Sequence, residues 1–160
     1  MMCGMKIQHS VRYDAPVGEV YAMLTDPAFR ERASQAQEVI SLDVTVEGES
    51  VNIDMVQPNT DIPSFARKFA GETSHAIQAE QWSQGTTAEF SVTIPGKPGS
   101  ITGTRRLVAD GDATLDTFDG EATARIPLIG GKIEKLIADK LKDGWNTEHG
   151  VGVAWLEGNR

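Results

Sequence analysis

The chain has 160 residues, of which 39% are hydrophobic and 24% charged, a balance that excludes a disordered tail and a membrane-embedded protein. Acidic residues outnumber basic ones 23 to 15, and a net charge of −8 repels phosphate backbones and anionic headgroups, so nucleic acid and membrane surfaces are poor partners. No window approaches the roughly 20 apolar residues of a membrane helix, so no stable membrane insertion is expected, and the single cysteine, Cys3, rules out an intrachain disulfide and favours a cytoplasmic setting.

No apolar stretch precedes Cys3, as a lipid-anchoring cysteine requires, so it is read as an incidental thiol, and ordered structure is expected from about Met5. Lys6 to Tyr13 alternates, with Ile7, His9, Val11 and Tyr13 on one face, which predicts a strand. Asp14-Ala15-Pro16 ends it and predicts a helix start with Asp14 or Ala15 as cap. Val17, Val20, Tyr21 and Leu24 follow at helical spacing, and Asp26-Pro27 opens a second short helix over about 28–35.

Period two returns from Glu38. Ile40, Leu42, Val44 and Val46 share a face; Gly48 turns the chain, and Val51, Ile53 and Met55 continue that dry face. Pro58 to Pro63 reads as a loop, followed by one helical turn over 64–69; this stretch, with Ile62, Pro63 and Phe65, either lids a pocket or caps the core edge. Strands are predicted over 72–82 and 86–94, then, after the turn Pro95–Gly99, over 100–108. Asp110-Gly111-Asp112 is a hairpin signal, and the last strand runs over 113–126 with a bulge at Asp119-Gly120, where the parity of dry residues changes. After Pro127–Gly131 a long helix fits 132–156, with Ile133, Ile137, Leu141, Gly144, Val151 and Trp155 in one stripe. Consecutive antiparallel strands with helices at both ends predict an α+β fold: a curved seven-stranded antiparallel sheet around a long C-terminal helix, with two short helices after the first strand.

That order resembles the helix-grip, START-like (SRPBCC) fold of polyketide cyclases, birch-pollen-type allergens and lipid-transfer domains. The junction Arg125-Ile126-Pro127-Leu128-Ile129-Gly130-Gly131-Lys132-Ile133-Glu134 resembles an actinobacterial branch of that superfamily. The resemblance implies a single START-like domain over about 5–157 and a hydrophobic cavity between sheet and helix. It names no chemistry, since members bind sterols, lipids, hormones, quinones or polyketides and only some catalyse.

The histidines His9, His75 and His149 show no metal-ligand spacing, and no nucleophile elbow or phosphate loop occurs, so no metal or cofactor is expected. Asp110, Asp112, Asp116 and Asp119 read as solvated hairpin ends, with an adventitious cation site as the other option. The informative residues are polar ones on dry faces: His9 beside Ile7 and Val11, His75 beside Ile77, Arg105 beside Ile101 and Leu107, and Glu148 within the helix stripe. A buried charge needs a partner, so Arg105 and Glu148 are expected to pair across the sheet–helix space; they form a structural ion pair, an anchor for a ligand's polar end, or, with His9 and His75, an acid–base set. Phe90 and Trp155 are the better candidates for a ligand wall. Trp82 shares the parity of Glu72 and Glu80 and is expected outside, Trp145 at the stripe's margin. Gly144 in mid-helix costs about 1 kcal/mol against alanine and suggests either open space or a close approach. The candidate ligand-binding set is therefore His9, His75, Phe90, Arg105, Gly144, Glu148 and Trp155, with a small hydrophobic molecule as partner. A cyclase or dehydratase, or a protein-interaction domain with a filled core, are the alternatives.

Overall fold

The alternating N-terminal segment forms β1 (Met5–Tyr13), and two short helices, α1 (Val17–Leu24) and α2 (Pro27–Gln35), follow it directly. The computed structural model describes residues 4–60 and 62–160; Cys3 lies outside the described residues. Among them the chain continues as β2 (Ser41–Glu47), β3 (Ser50–Pro58), α3 (Ser64–Ala70), β4 (Thr73–Ser83), β5 (Thr87–Thr93), β6 (Gly99–Asp110), β7 (Ala113–Ala124) and α4 (Gly130–Leu156). The strands form one antiparallel sheet in the order β1-β7-β6-β5-β4-β3-β2. β2 to β7 form a meander, and β1 closes it by pairing with β7. The long helix lies over β1, β7 and β6, while α2 covers β2 and touches α4. This is the helix-grip α+β architecture that the sequence predicts.

One of the two helix starts differs from expectation. The α1 cap is Pro16 itself, extended at ψ 157°, with no side-chain bond from Asp14. At α2 the Asp26 carboxylate does accept the Ala28 N–H at 2.9 Å.

The expected bulge at Asp119-Gly120 is absent. Pairing of β7 with both β1 and β6 runs without a skipped residue, and Gly120 sits opposite Gly103. The glycines serve the Phe90 ring instead: a Cβ on Gly103 would lie 2.9 Å, and one on Gly120 3.1 Å, from it. The parity does not change along β7, because Thr114 and Asp116 belong to the inward set although they are polar. Both point inward with Phe118, Ala122 and Ala124 and are fully buried.

The loop after β3 is tied down by Asn59, whose amide donates to the Gly71 carbonyl at 3.2 Å and whose oxygen accepts from Ser74 at 2.6 Å. Ile62 and Ala66 then pack with Ala124 and Ile133, closing the core edge between the end of β7 and the start of α4.

Candidate functional site

Inward positions of the central strands and one turn of α4 meet in a buried charge cluster. β6 supplies Arg105, β7 Asp116, β4 Glu80, α4 Glu148 and α2 Arg30; each is at most 5% exposed. The Arg105 guanidinium uses four of its five N–H groups. It donates to both Asp116 oxygens at 3.0 and 2.7 Å, to Glu80 at 2.9 Å and to Glu148 at 2.6 Å. Arg30 grips Glu80 through two bonds, 3.2 and 3.0 Å, and stands 3.4 Å from Glu148. Glu80 also accepts from Trp82 Nε1 at 3.0 Å and from Gln78 at 3.1 Å. The Arg105 guanidinium lies 4.5 Å from the centre of the Phe118 ring.

Three carboxylates face two guanidiniums, and the protonation equilibria reflect the excess. Burial raises the Glu80 carboxyl, but the Arg30 and Arg105 guanidiniums outweigh that and hold it at about 2. Asp116 is shifted the other way: its burial, with Glu148 and Glu80 nearby, exceeds the pull of Arg105 and raises it above the ordinary aspartate value. Burial, followed by the fields of Glu148 and Asp116, also raises the Tyr13 phenol strongly. The Tyr13 hydroxyl and Arg30 Nε are buried without a hydrogen-bond partner among the described residues.

Beside the charges stands an aromatic cluster. Trp145 stacks on Phe118 at 3.8 Å between centroids, and Phe90 meets Trp145 edge-on at 5.7 Å. His9 stacks on the same indole at 5.6 Å and bonds Asn146 at 2.9 Å. His9, Phe90, Arg105 and Glu148 thus converge, and the expected Arg105–Glu148 pair is present. Trp155 is buried elsewhere, edge-on to Phe29 at 5.5 Å.

Other placements depart from the sequence reading. His75 lies on the outer face, 2.7 Å from Asp54, because the inward parity of β4 is that of Ala76, Gln78, Glu80 and Trp82. Trp82, expected outside, is 1% exposed for the same reason. Gly144, on the helix face of Ile137 and Leu141, leaves no open space beside it: a Cβ there would meet the Gln37 side-chain amide at 2.7 Å. The glycine that opens space inside is Gly152, where a Cβ would come within 2.7 Å of the Tyr13 ring. Trp145 belongs to the core, not to the stripe's margin. Arg30, Glu80 and Asp116 escaped the sequence reading because charge was taken as a sign of solvent exposure. Extending the parity of Phe118 and Ala122 back along β7 would have found Asp116.

The sheet–helix interior is dry around these clusters but opens towards α3. On the inner face of β4, Ser74, Ala76 and Gln78 are half-buried, as is Ile94 beyond β5. Ala76, Ile137 and Leu141 border the Phe90–Trp145 cluster there. There are also two surface clefts: one of about 390 Å³ among Gln8, Ser10, Thr104 and Arg106, apart from this strip, and one of about 410 Å³ beside Lys97 and Arg125, whose lining includes Ile94.

Solved structures share the fold at low identity. TTHA0849 from Thermus thermophilus matches with a TM-score of 0.65 and 18% identity over 93% of this chain and 97% of its own. Norcoclaurine synthase from Thalictrum flavum, in complex with dopamine and hydroxybenzaldehyde, matches at 0.67 and 12% identity, covering 97% and 88%. The di-domain ARO/CYC StfQ from the steffimycin biosynthetic pathway matches at 0.70 and 14% identity over 97% of this chain and 51% of its own. Among curated proteins none matches the chain. The family described as "Protein of unknown function (DUF2505)" matches residues 8–156, so the chain belongs to that family, built on the START-like, polyketide-cyclase-type fold.

Proposed function

We propose that the protein binds a small, mostly apolar molecule carrying a hydroxyl or similar donor, seated on the inner face of β3–β5 alongside the first half of α4. The observation that carries this reading is the strip of inward residues left half-buried there, Ala76, Gln78 and Ile94, although the same face is dry two residues further along β4. Met55, Val92, Ile137 and Leu141 supply apolar surface around it, and Phe90 closes its inner end. Burying that surface is worth about 25 cal/mol per Å². Gln78 gives its amide N–H to Glu80, so its carbonyl oxygen is the acceptor offered to the ligand.

Arg105 fits a structural role better than that of an anchor, since four of its donors are already used. Acid–base catalysis finds less support: His75 faces outward, and Glu148 is bound by Arg105 and flanked by Arg30. The packed charge and aromatic clusters favour the filled-core reading only for the half of the interior under β1, β7 and β6.

Titration with an apolar fluorescent probe tests the proposal. Ala76→Trp fills the strip and is expected to weaken the probe about tenfold or more, with the far-ultraviolet spectrum unchanged. Gly150→Phe, on the exposed face of α4 where a Cβ meets nothing within 4 Å, should leave probe affinity as it is. Equal binding by wild type and a folded Ala76→Trp variant would overturn the proposal.

A further inference from the structure

The acidic chain has one basic end. α3 with the turn after it, the β5–β6 turn, and the junction from Ala124 to Lys135 together carry Arg67, Lys68, Lys97, Arg125, Lys132 and Lys135 against two carboxylates, Glu72 and Glu134. Glu134 is turned inward to accept the Ala124 N–H at 3.0 Å, and Lys135 is partnered by Asp139. The three segments are contiguous. The Lys97 ammonium donates to the Phe69 carbonyl, Arg125 N–H donates to the Pro98 carbonyl at 3.2 Å, and the Lys132 ammonium stands 5.8 Å from the Phe65 ring. Ile126 and Ile129 pack in one apolar cluster with Phe65 and Ala70.

Two large apolar side chains emerge among these cations. Phe69 is 39% exposed, and Leu128 is fully exposed at 103%. Leu128 also has φ 71°, a left-handed conformation that costs a leucine free energy. The flanking Ile126 and Ile129 are partly buried against the cluster of Ile62, Ala66, Ala124 and Ile133, which holds the chain on either side of Leu128 while its side chain stands in solvent.

From this end we infer that the protein docks peripherally on an anionic lipid bilayer. Leu128 and Phe69 would enter the headgroup–acyl boundary while Arg67, Lys68, Lys97, Arg125 and Lys132 meet the lipid phosphates; the cleft between Lys97 and Arg125 faces the same layer. A bilayer suits the site better than an acidic protein. A protruding leucine with no groove around it gains little from a flat charged surface but inserts readily between lipids. The net charge of −8 opposes approach by any other face, so docking is oriented. The inference is independent of what the interior binds.

Co-sedimentation with vesicles tests it. Wild-type protein is expected to bind vesicles of equal parts phosphatidylcholine and phosphatidylglycerol at low salt, to leave them at high salt, and to ignore pure phosphatidylcholine. Leu128→Gly suits the left-handed backbone, so it should stay folded, and is expected to lose about tenfold in binding. Lys68→Glu and Lys132→Glu should each lose about fivefold or more. No binding to the anionic vesicles, equal binding to neutral ones, or full binding by Leu128→Gly would overturn the inference. So would binding of polyglutamate at the same lysines that competes with the vesicles and does not depend on Leu128, since that would mark the end as a protein site.

Discussion

Removing the Arg105 guanidinium would strand Glu80, Asp116 and Glu148 around one remaining cation, Arg30. Breaking a buried pair typically costs about 3–5 kcal/mol, and Arg105→Met should destabilise by about that much in urea unfolding. Glu148→Gln in the same chain should recover little, because Asp116 keeps two orphaned oxygens. Asp116→Asn should recover more, since it neutralises the carboxylate that made two of the lost bonds. An Arg105→Met variant within about 1 kcal/mol of wild type would contradict the network as described. At this scale the sequence was half legible. The Arg105–Glu148 pair could be read because each charge stands alone among apolar neighbours of the same parity. Glu80 and Trp82 misled because they share a face with each other and not with Ile77, so the wrong set was taken as dry. Arg30 lies on a short, mostly polar helix where no period separates in from out.

The long helix carries two glycines whose surroundings make opposite demands. Gly150 is exposed, and a Cβ there meets nothing within 4 Å. Gly150→Ala should therefore stabilise by about 0.5–1 kcal/mol through reduced chain entropy. Gly152 lies two residues on, on the inner face, where a Cβ would press on the Tyr13 ring at 2.7 Å and Met23 at 3.1 Å. Gly152→Ala should destabilise by about 1–3 kcal/mol despite the same helical gain. Thermal melts of the two variants should move in opposite directions, and a shared direction would refute this account of the helix. Elements proved the most legible level, because hydrophobic period and turn chemistry are local. The strands, the hairpin glycines Gly48 and Gly111 among others, and the last helix follow from spacing and turn chemistry alone. The false bulge shows the limit: a polar residue buried by a distant partner looks, locally, like a change of face.

Over the whole molecule the buried charges make stability depend on pH. Glu80 ionises at about 2 in the folded protein against an ordinary 4.5, so its contribution, on the order of 3 kcal/mol, is fully present above about pH 4.5 and is lost as pH falls towards 2. Asp116 has the opposite sign: its raised folded value means that protonation on mild acidification favours the fold. Glu80→Gln should be less stable than wild type at neutral pH, and the gap should close as pH falls from about 4.5 to about 2. Guanidinium unfolding of both proteins at a series of pH values measures this, and a gap that does not change with pH would refute it.

The sheet order places β1 and β2 on opposite edges although α1 and α2 alone separate them in the chain. β1, which precedes every other described strand, is thus among the last that can be used, since its partner β7 ends at Ala124. Until then the emerging chain can build hairpins from β2 onwards but leaves β1 with every pairing group unmet, and the polar alternation of Lys6, Gln8, Ser10 and Arg12 keeps that waiting segment soluble. Tyr13 at the end of β1 packs on Gly152 of α4, so sheet and final helix can join only after both β7 and α4 have been made.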